Sequence, residues 1–187
     1  SDMMGLFHAV IFAPEDLMLV KEGPSTRRRY LDLLISQVRP SYFVHLQQYA
    51  RVLNQRNKLL KELRDQGFGR KKKPGDMCAL QIDVWDDALA QEGAALVRQR
   101  QLFGERIAKI AKEAQKNISS GKEELYVKYR TVSGIDPNKD EKEICHSYLE
   151  KLKTMVCDDI EKGLTVAGPH RDDLELSLDG SGLKPFA

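Results

Sequence analysis

Residues 41–76, SYFVHLQQYARVLNQRNKLLKELRDQGFGRKKKPGD, decide how the rest of the chain is read. Within them Tyr42, Leu46, Tyr49, Leu53, Arg56, Leu60 and Leu63 recur at alternating steps of four and three. That is the a/d spacing of a coiled-coil seam, with one arginine inside it. Gly67, Gly69, Pro74 and Gly75 then break the helix, and Arg70, Lys71, Lys72 and Lys73 lie between the breakers. Beyond them the spacing returns as Ile82, Trp85, Leu89, Leu96, Phe103, Ile107, Ile110 and Ala114. Two such seams joined by a short connection fold back on one another, so residues 41–118 are expected to form an antiparallel helical hairpin. Either Arg56 or its neighbour Asn57 is suited to fix the register of that pairing.

Working outward towards the start, Ala9–Phe12 is a short β-branched and aromatic run that reads as a strand. Pro14, Glu15 and Asp16 follow, a proline and two carboxylates suited to a helix N-terminus. A second helix starts at Gly23-Pro24-Ser25 and runs to Val38, where Pro40 closes it. Arg27, Arg28 and Arg29 open that helix, the electrostatically wrong end for cations, so each needs a compensating partner. Glu15, Asp16 and Asp32 are candidates; a phosphate or another domain is the alternative.

In the other direction Glu124–Val132 reads as a strand ended by Gly134, and Asp136-Pro137-Asn138 is turn chemistry. Lys139–Lys162 reads as a helix with Ile144, Tyr148, Leu152, Met155, Val156 and Ile160 inward and Gly163 as its stop. Thr165–Leu178 is strand-like, and Asp179-Gly180 is a tight-turn pair. The fold class expected is mostly α with a small β component, α+β: an antiparallel coiled-coil hairpin with short strands and flanking helices. The boundaries expected are 1–3, a cloning scar; 4–40; 41–118, the hairpin; and 119–187, a strand–helix–strand segment. The terminal Lys184-Pro185-Phe186-Ala187, with no cap or polar tail, suggests an excised fragment.

The chain has 187 residues, 41% hydrophobic and 31% charged, with a net charge of +2. So small a net charge means that nucleic-acid binding needs a local patch rather than a global field. No apolar run approaches the roughly 18 residues of a membrane span, and a cytoplasmic location is expected. Cys78, Cys145 and Cys157 show no metal-type spacing and read as reduced thiols. No Gly-rich phosphate loop, zinc spacing or nucleophile elbow is present. His8, His45 and His146 stand alone and read as structural or exposed.

One dense constellation remains, Gly168-Pro169-His170-Arg171-Asp172-Asp173. Adjacent carboxylates on an extended strand point to opposite faces, which argues against Asp172 and Asp173 sharing an ion with His170. A turn held by an Arg–carboxylate pair, or a docking surface, is the reading favoured. The four cations Arg70–Lys73 could neutralise a few phosphates, giving salt-sensitive and unspecific affinity. The mixed charges along the two hairpin helices read as solvated faces.

Phe12-Ala13-Pro14-Glu15-Asp16-Leu17, and Gly23-Pro24-Ser25 with Arg27-Arg28-Arg29-Tyr30-Leu31-Asp32, resemble stretches of the RecF family of bacterial recombination mediators. Gln48-Tyr49 through Leu53, Gln55-Arg56-Asn57 and Gly168–Leu174 resemble the same family in the same order. Residues 70–118 match it only in kind. The resemblance implies an ATPase whose head is similar to those of SMC and Rad50 proteins, with a short coiled-coil arm inserted in the head. This chain would be that arm, with head-proximal segments at 4–40 and 119–187.

By the same implication the family's phosphate loop would lie before Met4, its signature motif after Ala187 and its Walker B segment later still. The fragment itself would then bind no cofactor and hydrolyse no ATP, while ATP and Mg would belong to the full-length protein. The implied setting is DNA replication, recombination, repair and the SOS response. The implied partners are double-stranded DNA at gaps, RecR and RecO, and a second copy in an ATP-dependent homodimer; no membrane is involved. Arg70, Lys71, Lys72 and Lys73, with Arg27, Arg28 and Arg29, would contact DNA. Pro14, Glu15, Asp16, His170, Arg171 and Asp172 would face the head, Arg171 relaying nucleotide-driven dimerisation. The alternative is an arm that docks RecR or a second RecF copy without touching DNA.

Overall fold

A computed structural model describes residues 18–70 and 75–182. The strand expected at 9–12, the helix start at Pro14, Glu15 and Asp16, and the cations Lys71, Lys72 and Lys73 lie outside the described residues. The elements are α1 (Met18–Lys21), α2 (Pro24–Val38), α3 (Pro40–Asp65), α4 (Asp76–Ile118), β1 (Leu125–Arg130), α5 (Glu141–Lys162), β2 (Asp173–Leu178) and β3 (Ser181–Gly182). The fold is therefore mostly α with a small antiparallel sheet, as the sequence leads one to expect. No helix among the described residues is long and apolar enough to cross a membrane. The chain divides into two compact units, one built from residues 44–98 and 132–171, the other from the remaining described residues.

The first unit is helical. His45 of α3 bonds Glu92 of α4, Arg56 bonds Asp86, and Leu60 and Leu63 pack with Ile82. Early residues of α3 thus meet late residues of α4, so the two helices are antiparallel. Every seam position from Tyr42 to Leu63 is buried or half-buried. α3 stops where Gly67 turns left-handed (φ 82°), letting the Phe68 N–H reach back to the Leu63 carbonyl. α5 is the third helix of this unit, with Ile144, Tyr148, Leu152 and Ile160 buried. It begins at Glu141, two residues after the expected Lys139, because the Asp140 carboxylate takes the Glu143 N–H while Glu143 returns to the Asp140 N–H. Gly163 ends it in the left-handed conformation, as its position in the sequence suggested.

Along α4, Gly93–Val97 is buried on all sides, the mark of a helix enclosed by partners. Gly93 is there for space. A Cβ at that position would stand 2.4 Å from a ring carbon of Tyr148.

The second unit is a three-stranded sheet, ordered β1-β2-β3, with helices packed on it. β1 and β2 pair antiparallel from Leu125↔Leu178 to Arg130↔Asp173. Asp179 and Gly180 both take positive φ, as a two-residue hairpin into β3 requires. Residues 99–118 of α4 lie on the sheet through Gly104, whose Cβ position is 3.4 Å from Tyr129 Cβ.

Two expectations fail here. Ile110 is 69% exposed and Ala114 is exposed, while Gly104, Ala108, Ala111 and Gln115, one residue along, face inward. The buried stripe has stepped round the helix because these turns pack on a sheet and not on a partner helix. The last strand also starts late, at Asp173 instead of Thr165. Backbone donors of the intervening loop go to side chains: Asn57 takes the Thr165 N–H and Asp159 takes the Val166 N–H. Pro169 has no donor at all, and Pro169–Arg171 forms one 3-10 turn.

Candidate functional site

The two halves of the GPHRDD constellation, 168–171 and 172–173, serve different units. In the helical unit, His170 Nδ1 lies 2.7 Å from the Tyr49 hydroxyl, and its Nε2 lies 3.0 Å from the Thr165 carbonyl. The Tyr49 and Tyr148 hydroxyls are 3.1 Å apart, and Tyr148 donates to the Ala167 carbonyl at 3.0 Å. Gly168 (φ 134°) is required beside them: a Cβ would stand 1.9 Å from the Tyr148 hydroxyl oxygen. Arg171 is exposed and forms no ion pair among the described residues.

Beneath that turn sits a buried ionic cluster. Arg56, fully buried, donates from Nε to Asp86 at 2.5 Å and from Nη1 to Asp159 at 2.7 Å and the Thr165 hydroxyl at 2.8 Å. One cation faces two carboxylates, and burial raises both Asp86 and Asp159 above the usual carboxylate range, with Arg56 opposing. Arg56 Nη2 and Asp86 Oδ2 have no hydrogen-bond partner among the described residues. The seam pattern marked Arg56; nothing in the spacing marked Asp86 or Asp159. The signal available was a charged residue on an otherwise apolar stripe, which demands a counter-charge from another helix.

In the sheet unit, Asp172 accepts from the Tyr129 hydroxyl and is 2% exposed. Asp173, on the other side of the chain, grips Arg27 with both oxygens, at 2.8 and 2.9 Å. The Arg–carboxylate pair of the motif is therefore Arg27–Asp173 and does not involve Arg171. The expected partners of the arginine triplet are revised with it: Asp32 is taken by Arg100, at 2.9 Å. Arg28 donates to the Asp172 carbonyl at 2.6 Å, and burial, then the Arg100 charge, pull it below an ordinary guanidinium. Arg29 is exposed without an ion pair among the described residues. Adjacent carboxylates on opposite sides do not share an ion, and the described residues contain no cluster suited to a metal.

Arg70, the first of the four cations between the hairpin helices, belongs to the helical unit. It is exposed and bonded to Asp158, with Nε 2.7 Å from Oδ1, and its backbone N–H reaches Glu161 at 3.1 Å. Pro14, Glu15, Asp16 and Lys71–Lys73 lie outside the described residues. One further surface stands out in the helical unit. A groove lined by Gln55, Lys58, Leu59, Glu62, Gln81, Val84 and Trp85 runs beside Leu80 and Val84, which are 60% and 61% exposed.

No family model matches the chain. Among curated proteins, the DNA replication and repair protein RecF of Acetivibrio thermocellus is 36% identical over 186 residues, covering all of this chain and 48% of that protein. RecF of Ruminiclostridium cellulolyticum is 38% identical over 98% of the chain and 47% of its own length. RecF of Bacillus subtilis is 37% identical, covering all of the chain and 48% of its own. Two solved structures, described as the recombination mediator protein RecF-ATP and RecF-ATPrS in the RecFOR pathway, superpose with TM-scores of 0.85 at 31% identity. They cover 100% and 97% of this chain and 47% and 46% of theirs. The chain spans about half the length of the curated relatives it matches.

Proposed function

With the chain a member of the RecF family of DNA replication and repair proteins, we propose that its residues 41–118 form the arm of a RecF-like ATPase. The arm helps grip duplex DNA beside single-strand gaps and supports repair that depends on RecR and RecO. Similarity to RecF over the whole of this chain carries this reading, and the hairpin with Arg70–Lys73 at its connection is the feature that gives it a physical basis. ATP and Mg serve the whole protein, as does ATP-dependent dimerisation, and the chain itself turns over no nucleotide. Segments 4–40 and 119–187 return to the head, with Pro14, Glu15, Asp16, His170 and Arg171 facing it, whereas the Asp172 carboxylate is buried on Tyr129. The exposed Arg171 is the residue available to relay nucleotide state. Arg27 reaches a phosphate only by giving up Asp173, so of the triplet Arg29 is the better DNA contact.

Titrating the chain onto labelled duplex DNA over a salt series tests the grip, beside a variant with Arg70 and Lys71–Lys73 changed to alanine. Four phosphate contacts give a log–log salt slope of about −3.6, at about −0.9 per phosphate. Binding with such a slope, lost in the variant, supports the reading; equal binding by both proteins overturns it. A second reading is favoured by the groove beside Leu80 and Val84. There the arm docks RecR or a second RecF copy and touches no DNA. Absence of binding at low salt, with capture by purified RecR that a Val84→Glu variant abolishes, would establish that reading instead.

A further inference from the structure

Each hydrogen bond needs one hydrogen between its two heavy atoms. The contacts around His170 run Thr165 carbonyl to His170 Nε2, His170 Nδ1 to Tyr49, Tyr49 to Tyr148, and Tyr148 to the Ala167 carbonyl. Those are four contacts, closed at both ends by carbonyl oxygens that can only accept. A neutral imidazole and two phenols bring three protons. With Nε2–H committed to Thr165, neutral His170 must accept at Nδ1 from Tyr49. Tyr148 then has one proton for two oxygens, Tyr49 at 3.1 Å and Ala167 at 3.0 Å, and one close oxygen pair is left with no hydrogen between its members. An imidazolium supplies the fourth proton. Nδ1–H then donates to Tyr49, Tyr49 to Tyr148 and Tyr148 to Ala167, and every contact is a hydrogen bond in one direction.

We propose that His170 is a proton-operated latch, its imidazolium form fastening the 165–170 turn to α3 and α5. The surroundings agree with this. From α3 Tyr49 meets the ring directly, and from α5 Tyr148 meets the Tyr49 hydroxyl. From α4 Gly93 lies against both phenol rings and brings no side chain there. Behind Thr165 lie Arg56 of α3, Asp159 of α5 and Asp86 of α4, where two carboxyl groups answer the one cation, so the cluster sets no unanswered positive charge against an imidazolium. Arg171, next in the chain, is exposed. Gly168 packs against both phenol oxygens and leaves no room for a side chain to break the chain of contacts. The latch fixes the turn from which Arg171 projects. A group that binds its proton more tightly when folded stabilises the fold fully below its unfolded value, about 6.5 for histidine, and loses that contribution as pH rises through the folded value.

Nitrogen-15 NMR of the histidine rings of the whole chain across a pH series reads the protonation of both His170 nitrogens, with His170→Gln assigning the signals. The expected result is a midpoint about one unit above the ordinary histidine value of about 6.5, one unit being the worth of one additional hydrogen bond. Tyr148→Phe removes only a hydroxyl and leaves two contacts for two protons, so the midpoint falls back towards the ordinary value. Tyr49→Phe gives the same fall by removing the Nδ1 partner, and serves if the first variant does not fold. A bare Nδ1 in the wild-type chain at pH 6, or a midpoint unmoved by both phenylalanine variants, would overturn the latch.

Discussion

Arg56 and Arg70 belong to the same helical unit, and each stands between two carboxylates, with adjacent residues of α5, Asp159 and Asp158, serving one arginine each. Arg56 takes Asp159 together with Asp86; Arg70 takes Asp158 together with Glu161. Their chemistry is alike and their surroundings are not. The Arg56 side chain is 0% exposed and that of Arg70 is 64% exposed. Water solvates and screens the outer cluster, so its bonds replace equivalent bonds to solvent and are readily exchanged. The inner cluster has no such alternative, and each member is held in place by the cost of stranding the others. Adjacent positions on one helix thus carry a fixed structural joint and an exchangeable surface contact.

The contrast is broken most severely by Arg56→Met, which leaves two carboxylates in the core without their cation. The expected loss is about 3–5 kcal/mol of unfolding free energy in urea. A loss under about 1 kcal/mol would mean that the cluster is wetter than its burial implies. The neighbouring pair Asp159→Asn and Asp158→Asn sharpens the same point. Both oxygens of Asp159 face donors, Arg56 Nη1 on one and the Val166 N–H on the other. An asparagine amide must turn its own donors against one of them, for an expected cost of about 1–3 kcal/mol. Asp158→Asn loses only an exposed pair, and its unfolding curve should overlay the parent's.

Asp86→Asn is gentler because the geometry there is one-sided. Asp86 accepts from Arg56 through Oδ1, while Oδ2 has no partner among the described residues. An asparagine can keep its oxygen on Arg56, and the change leaves one cation facing one carboxylate. Stability at neutral pH should stay within about 1 kcal/mol of the parent. Burial first of all lifts Asp86 above the ordinary carboxylate range. Its contribution is therefore greatest at low pH, where it is protonated, and is lost as pH rises through the folded-state value. Thermal midpoints measured between pH 4 and 8 should show the variant gaining on the parent as pH rises. A constant offset would mean that Asp86 is ionised throughout.

Much of this was legible in the chain and some of it was not, for reasons that lie in sequence distance. The hairpin could be read because Tyr42–Leu63 repeat at helical spacing, a purely local property. Arg56 was visible as a charge in that seam, but its partners lie 30 and 103 residues away, on α4 and α5. Arg27 is likewise matched with a residue 146 positions on, beyond the reach of any local pattern. The 165–172 loop was read together with the strand because it runs directly into the strict alternation of Leu174, Leu176 and Leu178. What withdraws it from the sheet is the pair of side chains, Asn57 and Asp159, that claim its backbone donors. Ile110 and Ala114 keep the seam spacing, yet spacing says nothing about whether a helix or a sheet lies opposite.

The smallest effect on stability should come from the outer cluster, and there the comparison bears on function. Arg70→Ala removes an exposed cation and should leave the thermal midpoint unchanged, yet in the proposed DNA grip it removes one phosphate contact and lowers the salt slope by about one. Its carboxylate partners offer a test of opposite sign. If Arg70 must leave Asp158 and Glu161 to meet a phosphate, those two acids compete with DNA for the same guanidinium. Asp158→Asn combined with Glu161→Gln frees the cation and removes two negative charges beside it, so duplex affinity at fixed salt should rise while Arg56 and its cluster stay intact. Tightening in the double variant, reversed by adding Arg70→Ala, ties the gain to that one side chain. An affinity that ignores all three positions would place any DNA contact elsewhere on the molecule and leave the groove beside Val84 as the better account of the hairpin.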